Sequence, residues 1–151
     1  LEPKSKKKQL VGVVYSGGTF DLMHAGHANF LRRCAELGDR VVIALNTDEF
    51  IEEYKGKPPV ISYADRRDVL LACRYVDEVI PNIGGPDSRI TIETVMPDLI
   101  VIGSDWARRD YYTQMAFDQD WLDERGIGLC YIPYTQGISS TAIKERMLFR
   151  R

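Results

Sequence analysis

A chain of 151 residues, 44% hydrophobic and 28% charged, fits one globular domain and excludes disorder, collagen-like repeat and coiled coil as descriptions of the whole. The formal charge of -2 is unevenly divided: residues 1–9 set Lys4, Lys6, Lys7 and Lys8 against Glu2, a net +3 that leaves -5 on the rest, so a domain dedicated to nucleic acid is not expected. No apolar run approaches the roughly 20 residues of a bilayer-spanning helix, no segment reads as a secretion signal, and Cys34, Cys73 and Cys130 are too scattered for a disulfide framework. The expectation is a cytoplasmic protein with buried reduced thiols, a basic flexible tail over 1–9 and a single domain over 10–151.

In chain order, residues 10–15 (LVGVVY) read as a buried strand and 25–37 as a helix with Phe30, Leu31, Cys34 and Leu37 on one face and Gly38 as its C-cap. A second strand over 40–46 (RVVIALN) precedes a loop at 55–61. A helix over 62–74 then opens on Ser62 and Asp65, with Val69, Leu70 and Cys73 inward. A short strand over 76–80 stops at Pro81 and a loop follows at 82–87. Helix 88–96, strand 98–102, helix 111–125, strand 127–132 and helix 139–149 complete the pattern. The strands are short, β-branched and continuously apolar, which suits a parallel sheet covered on both faces. Strict β-α alternation specifies a doubly wound five-stranded α/β domain, Rossmann-like. In such a sheet ligands bind outside the carboxyl ends of the strands.

The first strand exit carries the densest chemistry. In SGGTFDLMHAGHANF (16–30), Gly17 and Gly18 admit a close ligand, Thr19 adds a hydroxyl, and a helix N-terminus opens toward the same space. His24 and His27 are three apart, which puts both imidazoles on one side of the first turn, with side-chain-free Gly26 between them. The segment is neither a Walker loop nor H-E-x-x-H. Taken alone, H-x-x-H is also compatible with a metal pair or a structural pair. Strand, glycines and helix start together point to a phosphate site.

Here the sequence resembles the cytidylyltransferase-like nucleotidyltransferases. Residues 18–27 (GTFDLMHAGH) look like their G-T-F-D-x-x-H-x-G-H signature, 46–48 (NTD) like the segment after the second strand, 74–79 like R-Y-V-D-E-V, and 135–141 (TQGISST) like the second signature R-T-x-G-I-S-T-T. The subgroup most similar is that of the small bacterial glycerol-3-phosphate cytidylyltransferases. The resemblance implies transfer of CMP from CTP to a phosphorylated alcohol, with Mg2+ accompanying the triphosphate, no nucleic acid, no membrane insertion, and a homodimer joined near R-Y-V-D-E-V. An ionised phosphate is already a nucleophile, so the enzyme needs positioning and charge stabilisation rather than a general base.

By the same resemblance His24, His27, Lys55, Lys57 and Asp21 are the catalytic group. Gly17, Gly18, Thr19, Phe20, Gly103, Asp105, Thr135, Gly137, Ser139 and Thr141 border the nucleotide, and Arg66, Arg74, Asp77 and Trp106 the acceptor. Asp21 is read as orienting a histidine or helping place a metal, with helix-entry capping as its competing role. Ser139 also stands at a helix start, where capping and phosphate contact compete for its hydroxyl. One departure stands out: Tyr134 occupies the place of the usual Arg in the second signature, with Arg108 or Arg109 as candidates to supply the missing charge. Ser140 replaces a Thr and keeps the hydroxyl. The alternatives are an adenylyltransferase with the same H-x-G-H and a module that holds nucleotide without transferring it.

Overall fold

The computed structural model describes residues 11–104 and 115–149. Five strands, β1 (Val11–Gly18), β2 (Gly38–Leu45), β3 (Glu78–Pro81), β4 (Leu99–Gly103) and β5 (Gly128–Ile132), form one parallel sheet in the order β3-β2-β1-β4-β5. The chain steps outward from β1 to β3 and then returns to the other side of β1. The reversal point therefore lies between β1 and β4, and the crevice for a ligand opens at their carboxyl ends.

The continuous apolar runs are explained by two cores that share the strands by alternation. Val14, Ile43, Leu45 and Val101 face one side with Leu31, Cys34 and Leu70 from helices α1 (Ala25–Leu37) and α3 (Tyr63–Ala72). Tyr15, Ala44, Ile100 and Ile102 face the other with Ile92 and Leu122 from α4 (Arg89–Val95) and α5 (Gln119–Arg125). Each fully buried aliphatic side chain contributes about 1.5–3 kcal/mol, so these two faces dominate stability. No helix among the described residues is long and apolar enough to cross a membrane.

The fold departs from the sequence reading in several places. β1 runs on through Gly17 and Gly18, which pair with Ala44 and Leu45, so the first exit begins at Thr19. Gly38 is the C-cap of α1 as expected, but in extended backbone with φ -150° rather than the left-handed form, and it opens β2 directly. A Cβ there would stand 2.5 Å from a Val14 methyl, so close packing accounts for the glycine. Helix α2 (Asp48–Lys55) occupies a stretch read only as a strand exit. Val69 is exposed, because the buried stripe of α3 runs through Arg66 and Leu70. The helix expected over 111–125 is not continuous through its described part, since Ala116 has φ 63° and a fresh N-cap, Asp118, starts α5. Of the three cysteines only Cys34 is fully buried, and burial raises its thiol pKa to about 12. Helix α6 (Ser140–Phe149) closes the described chain.

Candidate active site

The two histidines sit at the N-terminus of α1, beside the carboxyl end of β1, and together form its cap. His24 Nδ1 accepts the Gly26 N–H at 3.0 Å, and His27 Nδ1 accepts the His24 N–H at 3.2 Å. Gly26 makes this possible: a Cβ on it would lie 2.7 Å from the His24 ring. Since both Nδ1 atoms accept, the neutral rings carry their proton on Nε2 and present it as a donor. The ring centroids are 4.0 Å apart, and Phe20 lies 5.4 Å from His27. Burial first, and then proximity to His24, lower the His27 pKa to about 4, against the opposing effect of the Asp21 carboxylate. Burial lowers His24 as well. Both rings are therefore neutral N–H donors near pH 7.

Loops from three strand exits converge here. Phe20 adopts φ 50° and its ring covers Gly18, where a Cβ would meet it at 2.9 Å. The second-signature loop is held against α1, with Asn29 Nδ2 donating to Thr135 Oγ1 at 3.1 Å and Ser140 Oγ to the Asp21 carbonyl at 2.9 Å. Gly137 has φ 82°, a conformation that favours glycine. Ser139 spends its hydroxyl on the Ala142 N–H as the cap of α6, and Thr141 is exposed in the first turn. Tyr134 packs on Gly103 at the end of β4, where its phenol ring would lie 2.9 Å from a Cβ. Asp105, Trp106, Arg108 and Arg109 lie outside the described residues.

Other expected site residues take different places. Asp21 accepts three backbone N–H groups, those of Leu22, Val60 and Ile61, at 2.7–3.1 Å. It tethers the segment between α2 and α3 to the first exit. Arg66 is 2% exposed and donates to the carbonyls of Ile61, Thr19 and Asn46 and to Asp48 Oδ1. It knits the exits of β1 and β2 together from below instead of facing an acceptor. Arg74 and Asp77 precede β3, so they stand at the amino edge of the sheet. Arg74 stacks on Tyr75, and Asp77 accepts the Val41 N–H at 2.7 Å. Val41 is four residues from the end of β2, about 13 Å from the carboxyl edge at the usual rise, so neither residue joins the site within one subunit. Lys55 and Lys57 are exposed around Gly56, the left-handed C-cap of α2.

The sequence reading missed three residues at this site. Tyr54 on α2 reaches Thr19, its hydroxyl 3.3 Å from Thr19 Oγ1. Asn46 donates to the same oxygen at 3.1 Å, and Asn82 donates to Asn46. The signal for α2 was present: a Thr47 N-cap, Asp48 and Glu49 in the first turn, Lys55 in the last and Gly56 after it.

A parallel α/β sheet with a glycine-lined switch point and paired imidazole donors on a helix N-terminus defines a nucleotide-handling domain. The sequence pattern described as cytidylyltransferase-like matches residues 15–146, and the chain belongs to that family of nucleotidyl-transferring enzymes. It is 39% identical to a glycerol-3-phosphate cytidylyltransferase of Bacillus subtilis over 89% of this chain and 95% of that one. It is 42% identical to an FAD synthase of Pyrococcus horikoshii over 61% of this chain and 62% of that one. Among solved structures, a lipopolysaccharide core biosynthesis protein of Thermoplasma volcanium superposes with a TM-score of 0.64 at 26% identity, covering 83% of this chain and 97% of that one.

Two measurements test the geometry. Arg66→Met should cost about 3–5 kcal/mol of unfolding free energy in urea titration, since it strands three carbonyls and Asp48; a loss under about 1 kcal/mol would mean the guanidinium is solvated. His27 binds its proton less readily folded than unfolded, so stability should fall as pH drops from about 6.5 toward about 4. His27→Asn keeps an acceptor for the His24 N–H and should flatten that slope in urea titrations across the window. Equal slopes in both proteins would contradict the depressed imidazole.

Proposed function

We propose that the enzyme transfers CMP from CTP to a small phosphorylated alcohol, glycerol-3-phosphate first among them, and releases pyrophosphate. One observation carries the substrate assignment. The similarity to a glycerol-3-phosphate cytidylyltransferase covers 89% of this chain and 95% of that one, whereas that to FAD synthase spans only 61% of this chain and 62% of the synthase. In this reading an acceptor phosphate oxygen attacks the α-phosphorus, the bond to the bridging oxygen of the β-phosphate breaks, and pyrophosphate leaves in line. His24 and His27 donate from Nε2 to the phosphoryl oxygens, where charge accumulates. Thr19, with the Gly17–Gly18 backbone, contacts the phosphates, and Phe20 walls the pocket against His27. Lys55 and Lys57 supply the positive charge that neutral imidazoles lack. Gly103, Thr135, Gly137 and Thr141 border the nucleotide from the other side of the switch point, with Ser139 serving first as a cap. Arg66 and Asp21 act by holding these loops in place.

The donors present fit Mg2+ carried by the nucleotide. Among the described residues no three His, Cys, Asp or Glu side chains cluster, and Asp21 and Asp48 already accept protein N–H donors. The cation would neutralise triphosphate charge with water and phosphate oxygens as its ligands. We read the enzyme as a homodimer, with the R-Y-V-D-E-V segment that leads into edge strand β3 as the contact.

Incubation of CTP or ATP with a panel of phosphorylated alcohols, read as pyrophosphate release and product mass, is the decisive experiment. CDP-glycerol from CTP and glycerol-3-phosphate is the expected product; turnover with ATP alone, or nucleotide binding with no pyrophosphate from any acceptor, would refute the assignment. His24→Asn retains an N-cap oxygen but loses the Nε2 donor. It should lower kcat by roughly 10²–10³ with little change in thermal midpoint, and a rate within about threefold of wild type would remove His24 from the chemistry.

A further inference from the structure

The first residues beyond three adjacent strands, Thr19 after β1, Asn46 after β2 and Asn82 after β3, form a row joined by side chains as well as backbone. The Asn46 N–H reaches the Gly18 carbonyl and the Asn82 N–H the Leu45 carbonyl, both at 2.9 Å. Thr91 on α4, 1% exposed, donates its hydroxyl to Asn82 Oδ1 at 3.1 Å. Asn82, 7% exposed, donates from Nδ2 to Asn46 Oδ1 at 3.0 Å and to the Gly85 carbonyl at 3.4 Å. Asn46 Nδ2 then donates to Thr19 Oγ1 at 3.1 Å.

The polarity of this row is fixed by its inner end. The Gly85 carbonyl only accepts, so the Asn82 amide cannot turn over without setting oxygen against oxygen. With Asn82 fixed, Asn46 must present its oxygen inward and its NH2 outward. Thr19 Oγ1 therefore accepts from within, and its own proton is directed outward, on the side where Tyr54 stands.

We propose that Asn46 and Asn82 are positioning residues that hold the Thr19 hydroxyl as a donor toward a phosphate oxygen of the incoming nucleotide. The inference rests on reading Thr19 as a phosphate contact. Neither asparagine touches substrate; each acts through the next hydrogen bond, and the row ends at a buried threonine on a helix outside the site.

A double-mutant cycle in the full chain tests it, with CTP as the probe and glycerol-3-phosphate as acceptor. Thr19→Val removes the hydroxyl at nearly constant shape. Asn46→Asp keeps an acceptor for Asn82 but replaces the outward donor with an oxygen, which turns the Thr19 proton inward. Each single change should raise the KM for CTP by about tenfold or more and leave the acceptor KM within about twofold. Asn46→Asp should cost about tenfold less in KM when Thr19 is already Val, a coupling that the added charge alone does not produce. Full additivity, or an equal rise in both KM values, would overturn the relay while leaving Thr19 in place. No effect from Thr19→Val would instead overturn the phosphate contact itself, and the relay with it. If Asn46→Asp lacks a cooperative thermal transition, Asn82→Asp takes its place in the cycle under the same criteria.

Discussion

The site depends on two imidazoles whose inner nitrogens are both taken by backbone N–H groups at one helix start, His24 Nδ1 by Gly26 and His27 Nδ1 by His24. A helix N-terminus has N–H groups with no partner in the helix, and here His24 satisfies one while His27 returns a bond to the His24 backbone. The exchange fixes ring orientation and tautomer before any ligand arrives, which is the preorganisation that electrostatic catalysis requires. It also explains Gly26 more directly than room for a phosphate does, because any side chain there would displace the His24 ring.

Around this cap the fold spends its buried polar groups on holding loops rather than on chemistry. Arg66 gathers the carbonyls of Thr19, Asn46 and Ile61, and the Asp21 carboxylate gathers the N–H groups of Val60 and Ile61. The two side chains act on the same segment from opposite ends of its dipoles. Removing either would leave several part-buried backbone groups without these partners, a cost larger than the gain from any single exposed ion pair. The strand-end layer is thus cross-linked by side chains from below the loops, and Tyr54 reaches it from α2.

Much of this was legible from sequence. The five strands and the order of elements followed from continuous apolar runs, and α1 was found at its exact bounds because its apolar spacing and preceding motif are both strong. The eight-residue α2 was missed because Ile51 is its one buried residue, so no apolar stripe advertised it, although its caps did. Arg66 looked like a phosphate clamp because a guanidinium is the usual choice for an anion; only the three-dimensional path of the loops shows that carbonyls take its donors. Arg74 and Asp77 were misplaced for a reason available in advance: a segment that enters a parallel strand lies at the edge opposite the one where ligands bind. In one dimension Asn46 ends the expected second strand and Asn82 opens the loop at 82–87, and their alignment appears only when the strands are laid side by side.

The uncharged state of the histidine pair divides labour between capture and turnover. In the proposed reaction a polyanion approaching the free enzyme meets mostly neutral imidazoles, so among the described residues the long-range attraction is assigned to the exposed ammonium groups of Lys55 and Lys57. Such attraction weakens as ions shorten the Debye length, whereas short N–H contacts inside a desolvated pocket are screened far less. On that proposal ionic strength acts on how fast the nucleotide arrives, and hardly on what happens to it after it is seated.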